Sequence, residues 1–554
     1  MKTQLDSIYE HEKNLAQRIW LTQPMGGGTL RDFTWQQAMD EARRMASHLR
    51  SLQLPPGSRI AIFSKNCAWW FFADIAIWMA GHVSVPIYPT LNPDSIRLIL
   101  QHSGARLIFI GKLDGYAQMA PGIPADLPRI ALPLGPTEVK PTWDEIIKNN
   151  APMAESPTRP ADDLATIVYT SGSTGVPKGV MHSFKTMCSA GIYIDLAQLT
   201  VDDRAISYLP LAHVAERALL QTVNFLVGFR VYFAESLDTF IEDVRRARPT
   251  FFGSVPRLWM KFQSGVFQKM PPQRLALLLK IPVVNSLVKR KLLDGLGLNK
   301  VRVAVSGSAP IPKELLDWYK SIGLEILEVY AMTENWAVSH MVKPGHPAPG
   351  TVGTPISTVE CRLGPDGEVL VKSPGLMLGY YNAAELTREV IDEQGWLHTG
   401  DRGDLDNNGQ LRITGRVKEL FKTSKGKYVA PAPIENQLMA HALVEQACVS
   451  GANMQQPFAL VVLNPNAVVE AKKNRAPIDQ ALHGLQAEIN RRVDPHEQLE
   501  KIVVVAEEWT VDNGLLTPTL KLKRSAIETR YGPMVGNWYA TTQDVVWAEA
   551  NRPA

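Results

Sequence analysis

Residues 167–183 read IVYTSGSTGVPKGVMHS. A β-branched run ends in a loop of small hydroxyl residues and glycines with a single lysine, a composition that can wrap an anion in backbone amides and hydroxyls. Thr170, Ser171, Gly172, Ser173, Thr174, Gly175 and Lys178 are therefore the candidate phosphate-holding residues. The best-known phosphate loop ends in Gly-Lys followed by Ser or Thr, so that the last hydroxyl reaches magnesium. Here Lys178 stands between Pro177 and Gly179, and Pro177 removes an amide donor. The grip on phosphate is of a different kind.

Five further segments carry side chains suited to the rest of a nucleotide: VSGSAP (305–310), EVYAMTE (328–334), HTGD (398–401), GRVKEL (415–420) and TPTLKLKR (517–524). Tyr330 offers a flat ring, Thr333 a hydroxyl and Glu334 a hard oxygen ligand, which are adenine, phosphate and magnesium functions. A carboxylate such as Asp401 can accept from two neighbouring ribose hydroxyls, and Asp404 competes for that role. In their order and spacing these segments, with SGSTGVPKGV, resemble the adenylate-forming superfamily of acyl-CoA synthetases, luciferases and peptide-synthetase adenylation domains. The resemblance runs from about Tyr9 to about Arg530 and is strongest to long-chain fatty acid–CoA ligases.

That resemblance implies a set of roles. Tyr330 lies against adenine with Gly307, Ser308 and Ala309 as a shelf on its other side; Thr333 contacts the α-phosphate; Glu334 and Thr174 hold Mg²⁺; Asp401 and Arg416 hold the ribose or phosphate. Lys521 bridges the carboxylate and phosphate oxygens in the first half-reaction. Lys418 is the hinge about which a small domain rotates, withdrawing Lys521 and presenting Lys422 and Gly426 beside a pantetheine channel. His213 is a ring that closes on the acyl-adenylate and swings away for the thiol, and Trp259 gates an acyl tunnel. This chain departs from the pattern just before the lysine, where many members have Ser-Gly and it has Thr519 and Leu520; Lys523 stays an alternative to Lys521. Lys422 and Lys425 also read as solvated loop charges, and Trp259 as an ordinary core residue.

The implied chemistry follows from charge. A carboxylate attacking an α-phosphorus ringed by negative oxygens needs cations and donors to cancel repulsion. The same lysine then blocks the approach of a thiol, which is why the site has to be remodelled. ATP, Mg²⁺ and coenzyme A are the expected cofactors and a fatty acid the expected substrate, with chain length open. A ligase that stops at the acyl-adenylate and passes the acyl group to a carrier protein is the alternative. Thr174, Lys178, Glu334, Asp401, Arg416 and Lys521 together speak against a non-catalytic scaffold.

Composition sets the limits. The 554 residues are 45% hydrophobic and 20% charged, enough for a large core and more than one domain. The net charge of +3, from 58 basic against 55 acidic residues, gives no reason to expect nucleic acid. Cys67, Cys188, Cys361 and Cys448 have neither metal-ligand nor disulfide spacing. With an N-terminus that lacks the apolar core of a secretory signal, they point to the cytoplasm. Oligomeric state has no readable signal.

Eight apolar runs (RIAIF, RLIFI, ATIVYT, RAISYL, RVYFA, TFFGSV, RVAVSG and EILEVY) alternate with helical patterns, which predicts an α/β fold of βαβ-type sheets flanked by helices over residues 1–416. A small, mobile α+β lid follows over 417–554, and Asn408-Gly409 marks a hairpin ahead of it. The tail beyond Trp538 yields no reading. CAWWFFADIAIWMAG (67–81) contains Asp74 and falls short of the roughly 20 apolar residues of a membrane span, so it reads as a buried helix. In residues 274–298 basic residues punctuate aliphatic runs; packing against the core is the first reading, and contact with the inner face of a membrane through Lys289, Arg290 and Lys291 the second.

Overall fold

The computed structural model describes residues 2–170, 177–517 and 520–548. They form two compact units, one of residues 1–361 and 371–397, the other of residues 362–370 and 398–554. The strands carrying Asp401 and Arg416 pack within the second of these compact units.

All eight apolar runs contribute strands. In the first unit a seven-stranded sheet runs in the order Gly379–Tyr380, Lys178–Ser183, Leu164–Thr170, Val83–Ile87, Arg59–Phe63, Leu107–Ile110, Arg129–Ala131. Its last five strands are mutually parallel and its first three antiparallel. A second sheet begins with three parallel strands, Phe251–Ser254, Val303–Ser306 and Ile326–Tyr330, and a third pairs Arg204–Ser207, Arg230–Phe233, Ile19–Gly26 and Thr29–Thr34.

The helix Ala68–Met79 is buried at every position. Such a helix could hold a carboxylate only with a partner. Asp74 Oδ2 accepts from Arg217 Nη2 and from Gln221 Nε2, each at 3.1 Å, and both ion-pair members have no exposed side-chain surface. Arg217 opens a six-residue π-helix, Arg217–Thr222, and its guanidinium stacks 5.0 Å from the ring of Trp70. Burial pushes the Asp74 carboxyl up and the Arg217 guanidinium down, and each charge opposes the shift of the other. No helix among the described residues is long and apolar enough to cross a membrane.

In the second unit the sheet Val444–Ser450, Phe458–Leu463, Lys501–Val505, Val545–Ala548 is covered on one face by the helices Pro431–Met439, Pro465–Lys473 and Ala476–Asn490. Trp509, Ile527, Tyr531 and Trp538 pack on the other face. The tail without a sequence reading thus completes the sheet: Val545–Ala548 pairs in parallel with Lys501–Val505, and the Trp547 indole donates to Asp479 Oδ1 at 2.7 Å.

Asp74→Ala leaves Arg217 charged and unpaired in the core, which should cost about 3 kcal/mol or more. A lowered denaturation midpoint by urea titration, with Asp74→Leu/Arg217→Met recovering most of the loss, is the expected result.

Candidate active site

Ser171, Gly172, Ser173, Thr174 and Gly175 lie outside the described residues, but the two ends of their loop are placed. Thr170 and Lys178 face one another in register across the antiparallel strands Leu164–Thr170 and Lys178–Ser183. A Cβ on Gly179 would stand 2.8 Å from Ile167 Cγ2 and 3.3 Å from Tyr381 Cβ, so only glycine lets these strands close beside the lysine. Lys178 Nζ lies 5.3 Å from the centre of the Tyr380 ring, a cation–π contact, and the Tyr380 hydroxyl donates to Glu334 Oε1 at 2.8 Å. One buried aromatic side chain therefore ties Lys178 to Glu334.

The segment carrying Thr333 and Glu334 is bent into a 3₁₀ turn, Thr333–Asn335, followed by two non-glycine residues in left-handed conformations, Trp336 (φ +50°) and Ala337 (φ +59°). Each costs of the order of 1 kcal/mol and persists only where surroundings impose it. The surroundings here are specific. The Tyr193 hydroxyl donates to Ala337 O at 2.5 Å, Ser373 Oγ to Val338 O at 2.8 Å, the Met377 amide to Glu334 O at 2.8 Å, and His182 Nε2 to Thr333 O at 2.8 Å.

Beside this turn the strands Val303–Ser306 and Ile326–Tyr330 run parallel, with Ser306 opposite Glu328. They deliver the shelf Gly307, Ser308, Ala309 and the ring of Tyr330 from the same carboxyl ends, where open α/β sheets bind ligands. Gly307 sits against Val329, with Val329 Cγ2 2.8 Å from where a Cβ would be, and Ser308 turns at φ +68°. Tyr330 is half-buried, its ring 5.8 Å from that of His340.

His213 caps the turn Val214–Glu216: its Nδ1 accepts from the Ala215 amide at 3.1 Å, and its ring lies 6.4 Å from that of Tyr88. A neutral ring in this arrangement carries its proton on Nε2 and presents a donor, which suits a gating ring better than a general base. Trp259 is fully buried among Phe252, Phe262 and Tyr319, and the Tyr319 hydroxyl donates to its carbonyl at 2.7 Å. Those surroundings are those of a core residue.

The remaining candidates belong to the second unit. Asp401 and Arg416 are register partners, and Arg416 Nε donates to Asp401 Oδ1 at 2.9 Å, orienting the carboxylate. Glu368 holds the turn before it, accepting from His398 Nδ1 at 2.9 Å and from the Gly400 amide at 3.0 Å. Lys418 is exposed in the 3₁₀ turn Val417–Glu419. Lys422 Nζ lies 4.8 Å from the centre of the Tyr428 ring on the paired strand. At Gly426 a Cβ would meet no protein atom within 4 Å, and its φ of +72° favours glycine. Lys521 is exposed on a tight turn in which the Lys521 amide donates to Thr517 Oγ1 at 3.0 Å and the Thr517 amide to Lys521 O at 2.8 Å. Leu520 adopts φ +60°. Lys523 begins the helix Arg524–Tyr531 and is half-buried, so Lys521 is the better-presented ammonium. Arg524 anchors the turn, donating to Glu435 Oε1 at 2.7 Å and to Val449 O at 2.8 Å.

Residues 11–381 match the AMP-binding enzyme family, and residues 419–543 match the AMP-binding enzyme C-terminal domain. The chain belongs to the AMP-binding enzymes. Among its relatives, the peroxisomal long chain acyl-CoA synthetase 6 of Arabidopsis thaliana is 31% identical over 92% of this chain and 82% of that protein. The long-chain-fatty-acid–CoA ligase FadD15 of Mycobacterium bovis is 32% identical over 95% of each. The fold is also that of an anthranilate CoA ligase solved with anthranoyl-AMP (TM-score 0.77, 21% identity, 96% of this chain and 98% of that one). It is shared by the adenylation domain of a carboxylate reductase from Mycobacterium chelonae (TM-score 0.81, 21% identity, 97% and 91%).

No group of three or more His, Cys, Asp or Glu able to hold a metal occurs among the described residues of this AMP-binding enzyme. Glu334 alone, fixed by Tyr380, fits Mg²⁺, which takes one or two carboxylates and completes its shell with water and substrate phosphates. Tyr380, Glu368 and His182 escaped sequence reasoning. Burial lowers the His182 imidazole to about 3, so it stays neutral and its Nε2–H is a fixed donor to Thr333 O. Glu216 in PLAHVAER is buried and pushed up to about 8; its Oε1 accepts from Ser207 Oγ at 2.7 Å and the Tyr208 amide at 3.1 Å.

Tyr380→Phe should raise the Mg²⁺ concentration for half-maximal adenylation several-fold, because Glu334 loses its hydroxyl partner while the ring over Lys178 stays; an unchanged Mg²⁺ titration counts against the linkage. The Glu216 carboxyl keeps its proton when folded, up to about pH 8, but releases it from about 4.5 when unfolded. The unfolded state therefore binds fewer protons in that window, and this group's contribution to stability declines as pH rises through it. Glu216→Gln should flatten the decline measured by denaturant midpoints between pH 5 and 8.

Proposed function

We propose that the protein is an ATP-dependent fatty acid–CoA ligase, forming an acyl-adenylate with release of pyrophosphate and then the CoA thioester with release of AMP. The observation that carries this reading is the Lys178–Tyr380–Glu334 linkage at the mouth of the hydroxyl-rich loop. It joins Lys178 and Glu334, to which this reading gives the phosphate and the magnesium, through one buried side chain. The relatives named as long-chain acyl-CoA synthetases supply the substrate class.

In the first step a fatty acid carboxylate oxygen attacks the α-phosphorus and the bond to pyrophosphate breaks. Thr333 and Lys178 donate to the phosphate oxygens, Tyr330 and the Gly307–Ala309 shelf orient adenine, Asp401 steadied by Arg416 takes the ribose hydroxyls, and Lys521 neutralises the crowded oxyanions. Bound Mg²⁺ supplies further charge neutralisation, with Glu334 and Thr174 as its protein ligands. In the second step the CoA sulfur, having lost its proton, attacks the acyl carbonyl and AMP leaves. Lys521 has vacated by then, through rotation about Lys418 of a lid spanning 417–554, and Lys422 and Gly426 line the thiol's path. His213 gates that path. A cytoplasmic enzyme in peripheral contact with the inner face of a membrane fits a substrate that partitions into lipid.

Incubation with ATP, Mg²⁺ and palmitate should yield AMP and pyrophosphate, and palmitoyl-CoA when CoA is added. Pyrophosphate exchange without thioester would favour the adenylate-only ligase, and no exchange with any acid would favour a scaffold. Lys521→Ala should lower adenylation by at least about 100-fold and spare thioester formation from supplied acyl-adenylate; equal failure of both halves in a folded variant would remove Lys521 from its role.

A further inference from the structure

Residues 244–293 contain eleven Lys and Arg and not one Asp or Glu. The whole chain carries +3, so the rest of the sequence, with 47 basic and 55 acidic residues, is at −8. The basic charge is segregated here, in the part of the first unit that ends in a helical hairpin, Pro272–Lys280 and Val284–Leu296.

The hairpin has two apolar faces, and the core covers only one. Leu275 and Leu296 are buried, and Leu279, Val288, Leu292 and Leu293 pack behind them. The opposite face holds Leu277 (63% exposed), Ile281 (41%), Val283 (79%) and Leu287 (63%). Leu277 and Ile281 stand one helical turn apart, as do Val283 and Leu287, so the four residues form a ridge around the tip of the hairpin. Four such side chains within eleven residues are a patch and not the scattered exposure normal on a soluble surface. Val283 is held at φ +67°, a conformation few β-branched residues adopt, with its side chain outward. The Asn285 side-chain amide closes the turn by donating to Leu279 O at 2.7 Å. Arg274, Lys280, Arg290 and Lys291 are exposed beside the ridge.

We infer that this hairpin docks the protein on anionic lipid, with Leu277, Ile281, Val283 and Leu287 entering the acyl boundary and the flanking cations meeting the headgroups. Arg290 is paired with Asp294 on the same helix at 4.0 Å, but Arg274, Lys280 and Lys291 leave the surroundings of the ridge net positive, which matches a negatively charged bilayer interface. Docking deepens the peripheral contact proposed above by naming the surface that makes it. The first sequence reading, packing against the core, holds for the inner face only.

The test is flotation of the full-length protein with vesicles of phosphatidylcholine alone and of phosphatidylcholine containing about one-quarter phosphatidylglycerol, at low and high salt. The protein should float with the anionic vesicles and lose binding as salt rises. Leu277→Ser/Ile281→Ser/Val283→Ser/Leu287→Ser should lower the partition coefficient at least about ten-fold. Lys280→Glu/Lys291→Glu should lower it at least about five-fold on anionic vesicles only. Both variants should keep wild-type turnover on detergent-dispersed palmitate. Wild-type flotation by the serine variant, or no flotation by the wild type, overturns the inference without touching the ligase reading, which stands or falls on turnover. A wild-type dimer that the serine variant converts to monomer without any effect of vesicles would assign the ridge to a second copy, and overturn it as well.

Discussion

A single phenol links two of the candidate site residues of the first unit. Tyr380 stands in a two-residue strand hydrogen-bonded to the edge of the seven-stranded sheet, and there it reaches Glu334 with its hydroxyl and Lys178 with its ring. The neutral ring stands between the lysine and the glutamate and contacts both, which suits the separate phosphate and magnesium roles proposed for them. The rest of the unit fixes where that ring sits: the parallel strands set the sheet edge, and the buried Asp74–Arg217 pair closes the core behind Trp336 and His182.

The second unit uses the same device at smaller scale. Its candidates are braced from behind: buried Asp401 by the exposed Arg416 and a turn clamped by Glu368, and exposed Lys521 by a turn anchored by Arg524 and Glu435. Functional side chains held by supporting hydrogen bonds are what a precisely arranged site needs.

The sequence was most legible where chemistry or periodicity is local. RIAIF, ATIVYT and EILEVY are apolar enough to be strands in any α/β context, and Thr333 with Glu334 stands out because a hydroxyl and a carboxylate follow a strand end. Tyr380 was not legible, since GYYN acquires its meaning only by pairing with Val180, two hundred residues earlier in the chain. Val545–Ala548 was missed because a four-residue edge strand has too few positions to show a period. At Gly426 the turn's positive φ, which the sequence does not show, adds a second reason for glycine. The outer face of the 272–296 hairpin was underweighted, because an apolar helix of ordinary length looks the same whether core or lipid covers it.

Leu520 bears on how the lysine beside it can travel. A leucine in a left-handed conformation, pinned between hydrogen bonds at Thr517, has far fewer backbone alternatives than glycine would have at that position. Relative to its own backbone the Lys521 ammonium sweeps only the short arc of its four methylenes, so a longer excursion calls for the backbone that carries it to move as well.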